Sequence, residues 1–385
     1  MMLPSLALYV HYPFCASKCA YCDFNSIVAS NCVRSEYVKA LQAEAAFYAC
    51  DSRIANRPVT SIFIGGGTPS IAQGQDLDAL LRIGQQFQVK VNAEWSMEAN
   101  PGTLNRQSCA TMLRAGVNRL SLGVQSLDDR LLKRIGRSHT ADEAVAAVSS
   151  VKEAGFRNIN LDLIFGLPDQ SIANYRHTLE RALALEPQHF SLYGLQVEEG
   201  TPLYEQDCHG TLNLPSEAET VDMYYLGREM LQRAGYRQYE ISNFALPGFE
   251  CQHNLVYWRH REYLGLGAGA ASYVSGVRFT HESKPVDYVQ HWKNALVPSI
   301  EDQESITPEL ELGEVLMLGF RLSEGVDIRA INARFGIDFE QDYAETIEKL
   351  FYEQLIERSA DRLFLSEQGW ILANRVCSAF LPDLS

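Results

Sequence analysis

At 385 residues, with 46% hydrophobic and 21% charged side chains, the chain has the composition of a soluble globular protein with room for a large core and a second, smaller domain. Its formal net charge of −15 argues against broad attraction to nucleic acid or anionic lipid, so the expected partners are small molecules or proteins. Nine cysteines, an odd count with no basic leader before the first apolar run, point to a reducing cytoplasmic setting rather than a disulfide framework. No uncharged stretch is apolar and long enough for a transmembrane helix.

In chain order, Leu6 to Val10 reads as a strand, and Cys15, Cys19 and Cys22 follow it as Cys-x-x-x-Cys-x-x-Cys. Structural zinc normally takes four protein ligands, and no further His or Cys stands at a suitable distance. Three thiolates suit a 4Fe-4S cluster with one iron left open; weak zinc binding is the blander alternative. Ser35 to Cys50 shows helical spacing with Ser35 as its cap, and SIFIGGGTP, Ser61 to Pro69, is a strand ending in three glycines. Strand and helix then alternate: a helix at Asp76–Gln86, a strand at Glu94–Glu98, a helix at Asn105–Ala115 and a strand at Arg119–Val124. Helices at Asp128–Arg134 and Ala141–Ala154, a strand at Asn158–Ile164, a helix at Ile172–Leu185 and a strand at Phe190–Leu195 continue the pattern. Six βα-type units predict a parallel sheet curled as a partial or full barrel. The distinctive residues stand where these strands end, which is where a β/α barrel carries its active site.

A helix at Pro215–Ala234 and a strand near Tyr236–Ser242 extend this unit, whereas Phe249 to Ser275, rich in Gly, His and aromatics, lacks periodicity and reads as an ordered loop. The polar, turn-rich Pro298–Pro308 is the best domain boundary. Beyond it, helices at Glu309–Leu322, Asp327–Phe335 and Phe339–Gln354, then a hairpin of Ile356–Arg358 with Leu363–Leu365, look like a winged helix whose acidic balance disfavours DNA. The expected division is 1–245 for the barrel, 246–300 for the His/Gly/aromatic-rich region packing on it, and 301–385 for the C-terminal domain.

Each candidate ligand residue has a chemical reason. Gly66, Gly67 and Thr68 sit in a backbone-approach motif whose N–H groups are free to meet a ligand. Glu98 is suited to accept from an ammonium and Arg137 to pair with a carboxylate, or the two form a structural ion pair. Gln125 and Asp162 offer acceptors for ribose hydroxyls, or belong to an ordinary hydrogen-bond network. Tyr21 lies within the cysteine loop, and Tyr9 on the first strand.

Together, LALYVHYPFCASKCAYCDFNS, SIFIGGGTPS, MEANPGT, NRLSLGVQS, Gly136-Arg137 with His139, NLDLIFGLPDQ and CQHNLVYW resemble the radical SAM (S-adenosylmethionine) family of oxygen-independent coproporphyrinogen III dehydrogenase. Within it they are most similar to the HemW branch, the bacterial heme chaperones. The resemblance covers essentially the whole chain. It implies a partial (β/α)6-type radical SAM barrel with an extended sheet and a small winged-helix-like α+β domain. It assigns Cys15, Cys19 and Cys22 to a 4Fe-4S cluster, and Tyr9, Tyr21, Gly66, Gly67, Thr68, Glu98, Gln125, Arg137 and Asp162 to SAM. The open iron of such a cluster chelates SAM, and an electron from it splits a sulfur–carbon bond.

Two departures separate the chain from the dehydrogenases: Phe24 stands where they carry a further cysteine, and their long N-terminal extension is missing before the first strand. His253 to Trp258 matches the HNxxYW signature associated with heme in the chaperone branch. His253 or Tyr257 is suited to ligate heme iron, Cys251 is an alternative ligand, and Trp258 is suited to lie on the porphyrin; a loop packed by one His and two aromatics is the plain alternative. The implied partners are heme, acceptor hemoproteins and an electron donor, with transient membrane-protein contact and a homodimer also compatible.

Overall fold

The computed structural model describes residues 4–295 and 297–381; Met1–Leu3, part of the stretch read as lacking a leader, lie outside them. Six parallel strands, neighbours in space as in sequence, form the barrel wall: β1 (Leu6–Tyr12), β2 (Pro58–Gly66), β3 (Gln88–Ala99), β4 (Arg119–Gln125), β5 (Ile159–Phe165) and β6 (His189–Gly194). The chain returns between them through helices α1 (Asn31–Cys50), α2 (Gln75–Leu81), α3 (Arg106–Ala115), α4 (Asp129–Arg134), α5 (Ala141–Ala154) and α6 (Ile172–Leu183). Alternation along each strand sends Ile62, Ile64, Met97, Leu120, Leu122, Leu161 and Leu163 into one apolar core. The intervening positions, Ser61, Ser96, Arg119, Ser121, Asn160 and Ser191, are polar and equally buried, so they line the inside of the barrel.

The sheet has twelve strands among the described residues. Past β6 it gains β7 (Arg237–Gln238) and β8 (Asn243–Ala245), both antiparallel; past β1 it gains β9 (Tyr263–Leu266), parallel, then β10 (Ala271–Val274), β11 (Val277–His281) and β12 (Ile300–Ser305), antiparallel. Two expectations change here. Phe249–Ser275 is not a loop: it holds β9, β10 and a helix at Gln252–Trp258, three short elements in succession with too few turns for a period to show. The polar Pro298–Pro308 contains β12, exposed at every residue; a sheet edge wet on both faces has no apolar alternation to betray it.

Other boundaries move by smaller amounts. Helix α1 starts four residues early, capped by Ser30, while the Ser35 hydroxyl donates to Asp76 at 2.7 Å. α7 (Pro202–Cys208) and α8 (Glu217–Arg233) follow β6, with α8 opened by a Ser216–Glu219 capping box. The third C-terminal helix is two, Phe339–Asp342 and Ala344–Tyr352. A second apolar core around Leu316, Phe320, Phe339, Trp370 and Phe380 holds the C-terminal helices against a three-stranded sheet of Val326–Asp327, Arg362–Leu365 and Ile356–Ser359. No helix among the described residues is long and apolar enough to cross a membrane.

Candidate functional site

The cysteine loop is a closed excursion from the end of β1. Phe14–Cys15 pairs with Ile27–Val28, and Lys18 Nζ donates to the carbonyls of Phe24 and Ser26, each at 3.3 Å. The Ala20 N–H donates to Ile135 at 3.0 Å and the Ala20 carbonyl accepts from Leu203 at 3.0 Å, which fixes the loop between α4 and α7. Cys15, Cys19 and Cys22 are unpaired, half-buried and line one cavity. Thr68 Oγ1 donates to Cys15 Sγ at 3.6 Å and Arg137 Nη1 to Cys19 Sγ at 3.5 Å. Among the described residues no three Cys, His, Asp or Glu side chains converge as ligands of a single ion. A cube-shaped cluster asks for something different, since each thiolate takes a separate iron. Three free sulfurs around one cavity, with donors aimed at two of them, fit such a cluster.

That cavity, of about 570 Å³, also brings together Tyr9, Tyr21, Gly66, Gly67, Thr68, Glu98, Gln125, Arg137, Asp162, His253 and Tyr257. Their environments refine the expected roles. The N–H groups of the glycine motif are already engaged: Gly66 donates to Glu98 Oε2 at 3.1 Å, Gly67 to Tyr12 at 2.9 Å and Thr68 to Phe14 at 2.8 Å. The glycines are needed for close packing, because a Cβ on Gly66 would meet the His11 ring at 2.6 Å and one on Gly67 the Phe14 backbone at 2.6 Å. Arg137 makes no ion pair with Glu98: Nη2 donates to Asn100 Oδ1 at 2.6 Å and to the Gly123 carbonyl, so the guanidinium clamps the cysteine loop to the ends of β3 and β4.

Glu98 has only the Gly66 N–H as a partner, and burial, reinforced by the Asp162 charge, pushes its carboxyl up to about 8. Asp162 sits in mid-strand rather than at a strand end, accepting from Ser121 at 3.1 Å and Asn160 at 2.7 Å; burial raises its carboxyl too. Gln125 ends β4 at a register shift with φ of 66°, a left-handed conformation that a non-glycine residue holds only under constraint, and its side chain lines the cavity. The Tyr9 hydroxyl meets His11 Nδ1 at 3.0 Å, and the Tyr21 ring packs on Leu131, Ile135, Ile164 and Leu167.

The HNLVYW segment is α9 (Gln252–Trp258), entered through Glu94, whose carboxylate accepts from the N–H groups of Gln252 at 3.0 Å and His253 at 3.1 Å. An acidic side chain on these first-turn donors suits the helix start. The spacing of four places His253 and Tyr257 on one face, with His253 Nε2 at 2.9 Å from the Tyr257 hydroxyl and Nδ1 at 3.1 Å from Ser61 Oγ. Burial, helped by the Arg119 charge, lowers His253 to about 3, so the imidazole is neutral. Burial raises the Tyr257 phenol. Cys251 is fully buried, pushed up to about 12 by burial, placed 3.4 Å from Glu94 and outside the cavity lining; it serves the entry to α9, not the cavity. Trp258 faces a separate apolar cluster, with the Arg321 guanidinium 5.9 Å from its ring, and does not reach the cavity.

Reasoning from strand ends missed the lower half of the cavity: Arg119, Ser121, Asn160, Ser191 and Tyr193. The signal was present as period-two polarity in RLSLG, NINLDL and HFSLY, which puts one polar face of every strand on the same side.

Residues 9–182 match the Radical SAM superfamily and residues 306–372 the HemN C-terminal domain. The chain is 36% identical to the heme chaperone HemW of Lactococcus lactis, covering 97% of each chain. It is 35% identical to HemW of Bacillus subtilis over 98% of this chain and 99% of that one, and 35% identical to HemW of Escherichia coli over 99% of each. The fold matches Escherichia coli coproporphyrinogen III oxidase (HemN), described as a radical SAM enzyme, with a TM-score of 0.85, 98% of this chain and 90% of that one covered, and 23% identity, a likeness that speaks for the fold alone.

Proposed function

Because the chain belongs to the HemW family of radical SAM proteins, we propose that it is a heme chaperone, binding heme and passing it to acceptor hemoproteins. The family implies a 4Fe-4S cluster and SAM, and the residues of the cavity fit both. Cys15, Cys19 and Cys22 would hold three irons; the fourth stays open to SAM, and the cluster supplies the electron for reductive cleavage. Glu98, buried and nearly unpartnered, would ionise against the SAM ammonium. Gln125 and Asp162 would meet the ribose hydroxyls, Tyr9 and Tyr21 would flank the ligand, and Gly66, Gly67 and Thr68 would shape the wall. Arg137 would act from its clamp on Cys19, Asn100 and Gly123, leaving the SAM carboxylate to the open iron.

The observation that carries the heme reading is that His253 and Tyr257 open onto the same cavity as the three cysteines. His253 would suit the role of iron ligand where it lies: it is neutral, Ser61 can orient Nδ1, and Nε2 meets the Tyr257 hydroxyl, which the iron would have to displace. Phe24, 62% exposed at the cavity mouth, supplies no further thiol, which speaks against porphyrinogen decarboxylation. We place the acceptor exchange and an electron donor in the cytoplasm, with a second copy of the chain or a membrane protein as further contacts. The working division remains barrel, HNxxYW region and C-terminal domain, with the last boundary moved past β12.

The test is anaerobic reconstitution with iron, sulfide and heme. His253→Ala should shift or remove the Soret band while cluster absorbance persists, and Tyr257→Phe should alter it less. A double mutant that binds heme with unchanged spectrum and affinity ends the reading of HNLVYW as a heme site. Turnover of coproporphyrinogen III to a vinyl product with SAM and a reductant would replace the chaperone by the dehydrogenase.

A further inference from the structure

The barrel floor carries a buried guanidinium without a hydrogen-bonded carboxylate among the described residues. Arg119 opens β4, is 2% exposed and lines the cavity, yet its Nε has no hydrogen-bond partner and only through-space charges act on it among the described residues. The nearby carboxylates reach it only through space: Glu94 holds the start of α9, Asp162 holds Ser121 and Asn160, and Glu98 takes the Gly66 N–H. Ser96, paired with Arg119 across the β3–β4 ladder, has a buried hydroxyl that is also without a partner. A buried guanidinium donor that meets no acceptor is costly, and a ligand carboxylate in the same cavity would supply one. The position says which ligand. Arg119 starts β4, with a backbone rise of about 20 Å to Gln125 at the end that carries the cysteine loop, so its side chain enters the cavity from the floor. Its charge is felt at His253, the candidate iron ligand.

We propose that Arg119 is the receptor for a carboxylate of the porphyrin cargo, so that heme is held at two points, a propionate on Arg119 and the iron at His253. This rests on the heme reading and adds the orientation of the cargo: one propionate edge enters first. A guanidinium and a carboxylate form a strong paired contact, stronger still where water is excluded.

The experiment compares heme with its propionate dimethyl ester in the wild type, Arg119→Gln and Arg119→Lys, each reconstituted with its cluster, with SAM titrated separately. Wild type should bind heme at least about tenfold more tightly than the diester. Arg119→Gln should lose that preference while diester and SAM affinities hold, Arg119→Lys should restore part of it, and the ligand-free Gln variant should melt no lower than wild type because no hydrogen bond of the guanidinium is lost. SAM affinity falling while heme holds would assign the anion to SAM instead and overturn the proposal. So would equal loss of heme and diester, or a destabilised ligand-free variant with all ligands weakened. A wild type that binds heme and diester equally overturns this proposal alone; one that binds neither overturns the heme reading and this with it.

Discussion

Glu44 on the buried face of α1 and Glu98 in the barrel are both buried carboxylates that burial pushes up, but their surroundings differ. Glu44 Oε2 accepts from the Gly267 N–H at 2.7 Å and from the Tyr288 hydroxyl, while Oε1, without a hydrogen bond of its own, lies 3.2 Å from His281 Nε2 and outside the cavity lining. Beside it the Tyr37 hydroxyl donates to His11 at 3.0 Å and accepts from Ala268 at 2.8 Å. These contacts tie α1 to the 267–268 turn, β11 and the helix Pro285–Asn294, and so pin the sheet extension to the barrel. Glu98 has one backbone partner and a cavity in front of it; Arg119 has no hydrogen-bond partner for its Nε and faces the same cavity. Buried charge alone therefore does not mark a site. Buried charge left without partners and facing a cavity does.

The sharpest way to separate the two regions is to break each. Cys19→Ser should remove the cluster entirely, seen as loss of bound iron and sulfide and of the broad absorbance near about 400 nm, with the fold intact by circular dichroism. Full retention of iron would sink the cluster assignment. Glu44→Ala should do the reverse: a loss of about 3–5 kcal/mol in urea unfolding, because Tyr288, His281 and the Gly267 N–H lose a buried partner, with SAM affinity of the remaining folded protein unaltered. A stability change under about 1 kcal/mol would mean the network does not brace the extension. Glu98→Ala should weaken SAM binding while iron content and stability change little; unchanged affinity would return Glu98 to a structural role.

How much of this was legible follows from the same physics. The six strands were readable because their helix-facing sides are continuously apolar, and the cysteine loop because three thiols in eight residues are rare. Helix α5 was read to the residue, since a Thr140–Glu143 capping box and Gly155 at φ 116° mark both ends. β9 to β12 were not readable, nor was α9. Short strands joined by tight turns give little period, β12 has no buried face, and α9 is started by Glu94, a residue 158 positions before Gln252 and invisible to any local window. The lumen floor was overlooked for another reason: Ser121 and Asn160 are ordinary residues whose meaning appears only when adjacent strands align them, as Ser121 opposite Asn160.

The smallest expected effect concerns protons, and it distinguishes Glu98 from its neighbours. With its carboxyl held up to about 8 against a usual 4.5, the folded ligand-free chain keeps a proton that the unfolded chain loses. Stability from this source is full below about 4.5 and is lost as pH rises toward 8, since the folded state binds more protons across that window. Asp162, raised by burial, and Glu240, pushed up to about 7, act with the same sign, so Glu98→Gln should flatten the slope of unfolding free energy against pH without abolishing it. SAM should reverse the proton's position: its ammonium favours the carboxylate, so binding near pH 7 should release up to about one proton per chain. Calorimetry in buffers of different ionisation heat reads that release directly. Binding heats that do not depend on the buffer, together with a Glu98→Gln variant that keeps the wild-type slope, would show that Glu98 is already ionised in the free chain, and the distinction between an unpartnered buried charge and a braced one would then rest on Arg119 alone.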